Sequence, residues 1–204
     1  MIKIEKAETF GWEAAIRGMR NPKNSWSRSD SVLVDGQQWH LGDNDLTLMQ
    51  TLSKSGTDHG KFLRMITVYA DITAPLYWWK EFDTYKVGTV ANSCSTMHKI
   101  HAKKFTLDDF SCEHLKDDSW NTLIDTVAML NRYRDRFNET KDKSDWWQMI
   151  QLLPSSYNQK RTVELNYAVL KNMYLARQHH KLDEWHDFCD WAVTLPYFAA
   201  ICLV

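Results

Sequence analysis

The feature that most constrains the fold is a strand pattern that passes directly into a helix pattern. Ile66 and Val68 lie on one face of the strand that we predict over Phe62–Ile72, which is the clearest strand in the sequence. Pro75 suits the first turn of a helix, where its missing N–H is tolerated, and we predict that this helix continues through Phe82. The chain is therefore expected to combine a sheet with helices.

The residues before this segment contain weaker patterns. Turn and capping residues separate four short elements. These are a helix from Thr9 to Met19, a loop or edge strand from Asn21 to Ser31, a strand from Ser31 to Val34, and a helix from Asp43 or Asn44 to Gly56.

Helical periodicity dominates the second half of the sequence. Ser119 can cap a helix whose apolar residues recur every three or four positions. Further helices are predicted from Ser144 to Leu153, from Asn158 to His180 and from Leu182 to Leu195. We therefore predict an α+β fold, with a small sheet wrapped by long helices, as a single domain over residues 1–204.

Composition excludes several classes of function. Hydrophobic residues make up 44% and charged residues 25% of the 204 residues, as in ordinary folded proteins. The net charge of −1 does not favour binding to polymeric nucleic acid or to an anionic membrane. No apolar run is long enough to span a bilayer, and the first residues lack the apolar stretch of a secretory signal, so we expect a cytoplasmic protein.

The cysteines do not indicate a disulfide framework or a metal site. The four cysteines are scattered and form no CxxC pair, so we expect reduced thiols. Cys94 as a nucleophile would need a neighbouring cation or a helix start to lower its pKa, and no sequence feature demands this. Cys94, His98, His101, Cys112 and His114 lack the fixed spacing of a zinc site, and we expect no metal.

Ten tryptophans stand beside eight tyrosines and eight phenylalanines. Aromatic rings supply large apolar area and flat faces for stacking on planar ligands. Both a core with a subunit interface rich in aromatic residues and a ligand-stacking surface agree with this composition.

Three blocks of sequence, read in order, resemble the flavin-dependent thymidylate synthases. The first block runs from Gly56 to His59 and leads into the predicted strand. It is similar to the Gly-Thr-Pro-Phe-Glu-His turn with which that family holds the flavin nucleotide, but it is two residues shorter. The resemblance therefore carries over only Thr57 and His59.

The second block begins at Ile72 and continues through Trp79, and it is similar to the family's strand-to-helix entry. The Arg-His-Arg that follows in the family falls, without a gap, on Trp79, Lys80 and Glu81. The family's Ser-x-Asn-Glu-x-Ser is matched either by residues 84–89 without a gap or by residues 92–95 with an insertion.

The third block resembles the family's Leu-Pro turn, its Asn-led helix and its Glu-Ile-Arg. The matching segments are Leu153–Tyr157, Asn166, Arg177 and Glu184–His186. In the family the distal arginine of the helix faces the flavin, which implies this role for Arg177. His186 stands where the family has an arginine that binds the nucleotide phosphate.

The resemblance implies a homotetramer with active sites between subunits and a small, mostly antiparallel sheet. It implies FAD as cofactor, methylene-tetrahydrofolate and NADPH as co-substrates, and a one-carbon transfer to C5 of dUMP or of a related pyrimidine nucleotide. It identifies no catalytic residue. The implied cofactor-binding residues are Thr57, His59, Lys80, Asn166 and Arg177, and the implied substrate-binding residues are Glu81, Tyr85, Lys86, Asn92, Ser93, Ser95 and His186.

Each of these assignments has a structural alternative. The tryptophans Trp78 and Trp79 could pack in the core, the pair Lys80 and Glu81 could form a solvated helix face, and residues 92–98 could form turns. An inactive nucleotide-binding or scaffold protein with the family's fold, and a helical interaction module unrelated to the family, are the competing functions.

Overall fold

The computed structural model describes residues 2–36 and 38–204 and contains both helices and strands. The predicted α+β class is confirmed. None of the helices in the described ranges is long and apolar enough to cross a membrane. The strands are β1 (Lys3–Phe10), β2 (Val32–Val34), β3 (Gln38–His40), β4 (Thr67–Pro75), β5 (Val90–Ser93) and β6 (Asn158–Asn166). The helices are α1 (Trp12–Arg20), α2 (Asp43–Lys54), α3 (Leu76–Phe82), α4 (Asp117–Thr140), α5 (Lys143–Leu152), α6 (Tyr167–Arg177), α7 (Asp183–Thr194) and α8 (Phe198–Cys202).

The strands form two small sheets. The larger sheet has the order β1, β4, β6, β5, and β2 pairs with β3 in an antiparallel hairpin in which Val32 faces His40. The predicted strand from Ser31 to Val34 is confirmed as β2.

The helix that we predicted from Asn158 to His180 is wrong over its first nine residues, which form strand β6. Val163 and Leu165 are buried while Thr162 is exposed, so the buried positions alternate as in a strand. The sequence pattern favoured a helix because Val163 and Tyr167 are four residues apart, a spacing that places two residues on one face of a helix as well as on one face of a strand. The real helix, α6, starts only at Tyr167.

Two boundaries in the first half also differ from the prediction. The predicted strand over Phe62–Ile72 begins only at Thr67, because Gly60–Met65 form a 3-10 helix that buries the adjacent residues Phe62 and Leu63. Burial of two neighbouring side chains suits a helical turn, whereas a strand sends them to opposite faces.

The first helix begins at Trp12 rather than at Thr9, which lies in β1. Gly11 has φ of 86°, and a Cβ on it would lie 1.9 Å from the carbonyl oxygen of Met65. Only glycine permits both this left-handed conformation and this close approach, so the strand ends and the helix starts here. Thr9 instead accepts a hydrogen bond of 3.1 Å from Nε1 of Trp12.

The chain divides into two compact units. The first unit comprises residues 1–3, 72–84 and 92–161, and the second comprises residues 4–71, 85–91 and 162–204. In the first unit α4 and α5 pack on a core that includes Phe105, Leu130 and Met149. In the second unit α6 packs against α7, α8 and the 3-10 helix, and large side chains such as Trp185 and Phe198 are fully buried.

A buried ion pair organises the segment between α1 and α2 in the second unit. Nε of Arg20 donates to Oδ1 of Asp45 at 2.7 Å, and the two side chains are 3% and 0% exposed. The other carboxylate oxygen accepts hydrogen bonds from both the main-chain N–H and the hydroxyl of Ser31, and from the hydroxyl of Ser29. Although burial alone would raise the pKa of Asp45, these hydrogen bonds outweigh it and lower the pKa.

We expect Asp45→Asn to lower the free energy of unfolding by about 3–5 kcal/mol, because it leaves the charge of Arg20 buried without its counter-charge. Chemical denaturation measures this change. Glu13→Gln is the control, since Glu13 pairs with Arg17 at 3.4 Å on the exposed surface and its loss should cost about 1 kcal/mol or less. Equal effects of the two substitutions would contradict the buried-pair assignment.

The same carboxylate should make stability depend on acid pH. Because the pKa of Asp45 is lower in the folded chain than its unfolded value of about 3.9, the unfolded chain binds the proton first. The stabilisation is complete above that value and is lost as the pH falls through the folded-state pKa. Denaturation of wild type at a series of pH values below about 5 should show a steeper loss than Asp45→Asn shows.

Candidate functional site

Helix α6 positions two of the predicted site residues, one at each end. Asn166 is the N-cap of α6, and its side-chain oxygen accepts a hydrogen bond of 3.0 Å from the N–H of Val169. Asn166 has extended backbone angles, so strand β6 ends at the residue where the helix begins. Arg177 is the last residue of the helix.

Arg177 contacts two aromatic rings. Its guanidinium carbon lies 4.9 Å from the ring centre of Trp185 and 5.5 Å from that of Tyr85. Nε of Arg177 also donates a 2.9 Å hydrogen bond to the hydroxyl of Tyr85. Trp185 is fully buried and supplies a fixed surface under the cation. The structure thus brings together Arg177, which was predicted to bind the cofactor, and Tyr85, which was predicted to bind the substrate.

Asn166 also holds the loop that carries Tyr85. Its side-chain nitrogen donates to the carbonyl oxygen of Gly88 at 3.5 Å. Gly88 has φ of 80°, and a Cβ on it would lie 2.7 Å from the same nitrogen. A larger residue at this position would be strained and would displace the side chain of Asn166.

A cavity of about 230 Å³ lies beside the Thr57 turn in the second unit. Its lining includes Thr57, Arg64 and Lys171, and Nζ of Lys171 donates to the carbonyl oxygen and the hydroxyl of Ser53 at 2.9 and 2.8 Å. Among the described residues that line this cavity there are two cations and no carboxylate. Such a donor set suits an anionic group such as a phosphate. His59, the other residue predicted in this turn, is exposed and does not line the cavity.

Sequence reasoning missed Arg64 and Lys171 as candidates. Arg64 lies in the 3-10 helix where we predicted a strand, and Lys171 lies on α6 between the two residues that were singled out. Lys171 gave no signal in the sequence, because only the structure shows that it lines the cavity together with Ala168, three residues before it on the helix.

The remaining residues of the second unit that were predicted to contact the substrate lie on its surface. Lys86 is exposed, and His186 on α7 is half-exposed with its Nδ1 4.0 Å from a carboxylate oxygen of Asp183.

Five predicted residues belong to the first unit. Lys80 is exposed on α3, Glu81 is half-buried beside it, and Asn92 and Ser93 are exposed at the end of β5. Ser95 lies in a turn, where its hydroxyl accepts hydrogen bonds from the N–H groups of the second and third residues after it. The turn interpretation of this polar segment therefore describes the geometry around Ser95.

Trp78 and Trp79 are fully buried, as the core-packing alternative predicted. Nε1 of Trp79 donates to the carbonyl oxygen of Gln159 at 2.9 Å, and the guanidinium of Arg161 lies 4.2 Å over the Trp79 ring. Sequence reasoning did not single out Arg161, because it lies within the segment of β6 that we predicted as helix.

Buried thiols are poor candidates for nucleophiles in this chain. Burial raises the pKa of Cys189 to about 11 and that of Cys202 to about 12, and it also raises the pKa of Cys112. Cys94 is exposed. Within residues 2–36 and 38–204, no cluster of three or more His, Cys, Asp or Glu side chains has the geometry of a metal site.

Comparison with solved structures shows which known folds this chain resembles. No protein-family profile matches the sequence, and no curated protein matches it significantly. Thymidylate synthase X (ThyX) from Helicobacter pylori with FAD and dUMP is 16% identical, with a TM-score of 0.70 over 99% of this chain and 97% of that chain. A second structure of the flavin-dependent ThyX from Helicobacter pylori, complexed with FAD and dUMP, is also 16% identical, with a TM-score of 0.71 over 98% of this chain and 97% of that chain.

A UMP/dUMP methylase, PolB from Streptomyces cacaoi bound with 5-Br UMP, is 12% identical, with a TM-score of 0.64 over 94% of this chain and 86% of that chain. The resemblance predicted from the sequence is thus confirmed at the level of the fold.

We expect Gly88→Ala to destabilise the chain by more than Gly56→Ala does. Both glycines have positive φ, which costs an alanine about 1–2 kcal/mol, but a Cβ at Gly56 meets no atom within 4 Å. At Gly88 the Cβ must displace Asn166, so the helix cap is weakened by about another 0.5–2 kcal/mol. Denaturation of the two variants measures the difference, and equal losses would show that Asn166 does not hold the loop.

Proposed function

We propose that this chain, which has the fold of the flavin-dependent thymidylate synthases, binds FAD and a pyrimidine nucleotide and transfers a one-carbon unit to C5 of dUMP or a related nucleotide. Methylene-tetrahydrofolate is the donor in this proposal and NADPH the reductant. A cytoplasmic homotetramer whose protomer is a single domain over residues 1–204 belongs to the same proposal.

The contact between Arg177 and Tyr85 carries the proposal. A guanidinium that is stacked on Trp185 and hydrogen-bonded to a tyrosine hydroxyl cannot rotate freely, so its positive charge has a fixed position. A fixed cation next to a phenol suits an electron-rich planar ring on one side and a nucleotide on the other. The Helicobacter pylori structures contain two such ligands, FAD and dUMP.

Most of the residues that would hold FAD come from the second unit. Thr57, Arg64 and Lys171 at the cavity would bind its pyrophosphate, and Arg177 would face the flavin ring. FAD, when bound and reduced, supplies the hydride for the reaction. The protein contributes binding, orientation and charge, since the described residues provide cations and hydroxyls at fixed positions.

The proposed nucleotide contacts are Tyr85 and Lys86 from the loop before β5, together with the polar residues Asn92, Ser93 and Ser95. Lys86 would neutralise phosphate charge as a point charge, because a lysine cannot form the bidentate contact of a guanidinium. Glu81 would need to turn away from the phosphate, and His186 would take part only where the phosphate reaches α7. His59 and Lys80 remain proposed flavin contacts from the sequence resemblance.

A second function, nucleotide binding without turnover, is favoured by one observation. Glu81 and His186 stand at positions where the resembled family has arginines, so the cations that the family uses at its site are missing there. A protein that kept the fold and lost the reaction would bind FAD or dUMP and release no proton from C5.

The two functions are separated by binding and turnover measured on the same preparation. The purified full chain is titrated with FAD by absorbance and with dUMP by calorimetry, and release of tritium from [5-³H]dUMP is followed with methylene-tetrahydrofolate and NADPH. Tritium release supports the synthase, and binding without release supports the alternative. A chain that binds neither FAD nor dUMP would rule out both.

Arg177→Met should weaken FAD binding by about 10-fold to 100-fold, because it removes a charged contact worth about 1.5–3 kcal/mol while keeping an apolar chain over Trp185. FAD titration by absorbance measures the affinity. Arg132→Met is the matched control, since Arg132 is exposed on α4 in the other unit, and it should leave the affinity unchanged. Equal affinities of all three proteins would exclude Arg177 from the flavin site.

A further inference from the structure

Arg161 makes three contacts at once in the first unit. Its Nη1 donates to a carboxylate oxygen of Asp83 at 2.7 Å, and its Nε donates to the side-chain oxygen of Gln159 at 3.0 Å. Its guanidinium lies 4.2 Å over the ring of Trp79. The side chain is 14% exposed, so the charge is largely removed from water and these contacts are stronger than they would be on the surface.

The partners of Arg161 connect it to both flanks of residues 84–93. Asp83 directly follows α3, and its N–H donates to the carbonyl oxygen of Trp79 at 2.8 Å. At the other end, the side-chain nitrogen of Gln159 donates to the carbonyl oxygen of Cys94 at 2.7 Å. The N–H of Cys94 donates in turn to the carbonyl oxygen of Lys160 at 2.9 Å. Arg161 is thus bonded directly to Asp83, which precedes residues 84–93, and is linked through Gln159 to Cys94, which follows them.

Residues 84–93 include four of the residues proposed to bind the nucleotide, namely Tyr85, Lys86, Asn92 and Ser93. A segment whose two ends are fixed loses less conformational entropy when a ligand binds than one whose ends move freely.

We propose that Arg161 is a positioning residue that fixes both ends of residues 84–93 for binding of the pyrimidine nucleotide. This inference rests on the proposed function for the identity of the ligand. Lysine cannot replace arginine here, because the contacts with Asp83, Gln159 and the Trp79 ring use the planar fork of the guanidinium.

The test compares Arg161→Lys with wild type in two measurements on the full chain. Hydrogen exchange of the protein without ligand reports the mobility of residues 84–93, and dUMP titration by calorimetry reports nucleotide affinity. Arg136→Lys is the matched control, because Arg136 also pairs with a carboxylate, Asp145 at 3.2 Å, and lies over the ring of Tyr133. Asp83→Asn serves as a second variant that weakens the same contact from the other side.

We expect Arg161→Lys and Asp83→Asn to speed exchange in residues 84–93 at least 10-fold and to weaken dUMP binding, with the FAD spectrum unchanged. Arg136→Lys should change neither quantity. Unchanged exchange in residues 84–93 would overturn the inference whether or not the protein binds dUMP. Faster exchange with unaltered dUMP affinity would also overturn it, whereas failure of wild type to bind dUMP at all would refute the proposed function instead.

Discussion

The change from strand to helix at Asn166 is the constraint on which the rest of the second unit's site depends. Asn166 is the last residue of β6, and its carboxamide caps α6 through its oxygen and reaches Gly88 through its nitrogen. Because α6 is a regular helix of 11 residues, fixing its first turn also fixes the direction in which Arg177 leaves its last turn. A single side chain therefore sets both the cation and the loop that meets it.

Two other arginines of the chain, Arg20 and Arg161, also contact several groups at once. The Arg20 and Asp45 pair is buried with hydrogen bonds on both partners, so it holds the start of the segment between α1 and α2. Arg161 performs a comparable task for α3 and β5 with a carboxylate, an amide and an indole ring. In each case the planar fork of one guanidinium contacts several partners at once.

The sequence predicted those parts of the fold where one pattern had no competitor. Pro75 and the residues after it predicted α3, and Pro196 predicted the end of α7, because proline restricts the backbone in any context. The prediction failed at β6, where Val163 and Tyr167 satisfied the helix period and the strand period equally well. The 3-10 helix before β4 was missed for a related reason, since the burial of both Phe62 and Leu63 is decided by tertiary packing that no local pattern records.

The sequence named candidate site residues, but it could not predict which of them contact each other. Arg177 and Tyr85 are far apart in the sequence and were assigned to different ligands, yet they share a hydrogen bond. Arg64, Lys171 and Arg161 gave no local signal, because a single cation in a polar stretch looks the same whether it lines a cavity or faces water.

The four cysteine thiols differ in burial, and they therefore differ in reactivity towards alkylating reagents. Cys189 and Cys202 are buried and hold their protons tightly, whereas Cys94 is exposed next to the polar segment that follows β5. A maleimide or a fluorinated alkylating tag would therefore attach first at Cys94, without any cysteine having to be removed. A spectroscopic label on Cys94 would report on the surroundings of its sequence neighbours Ser93 and Ser95.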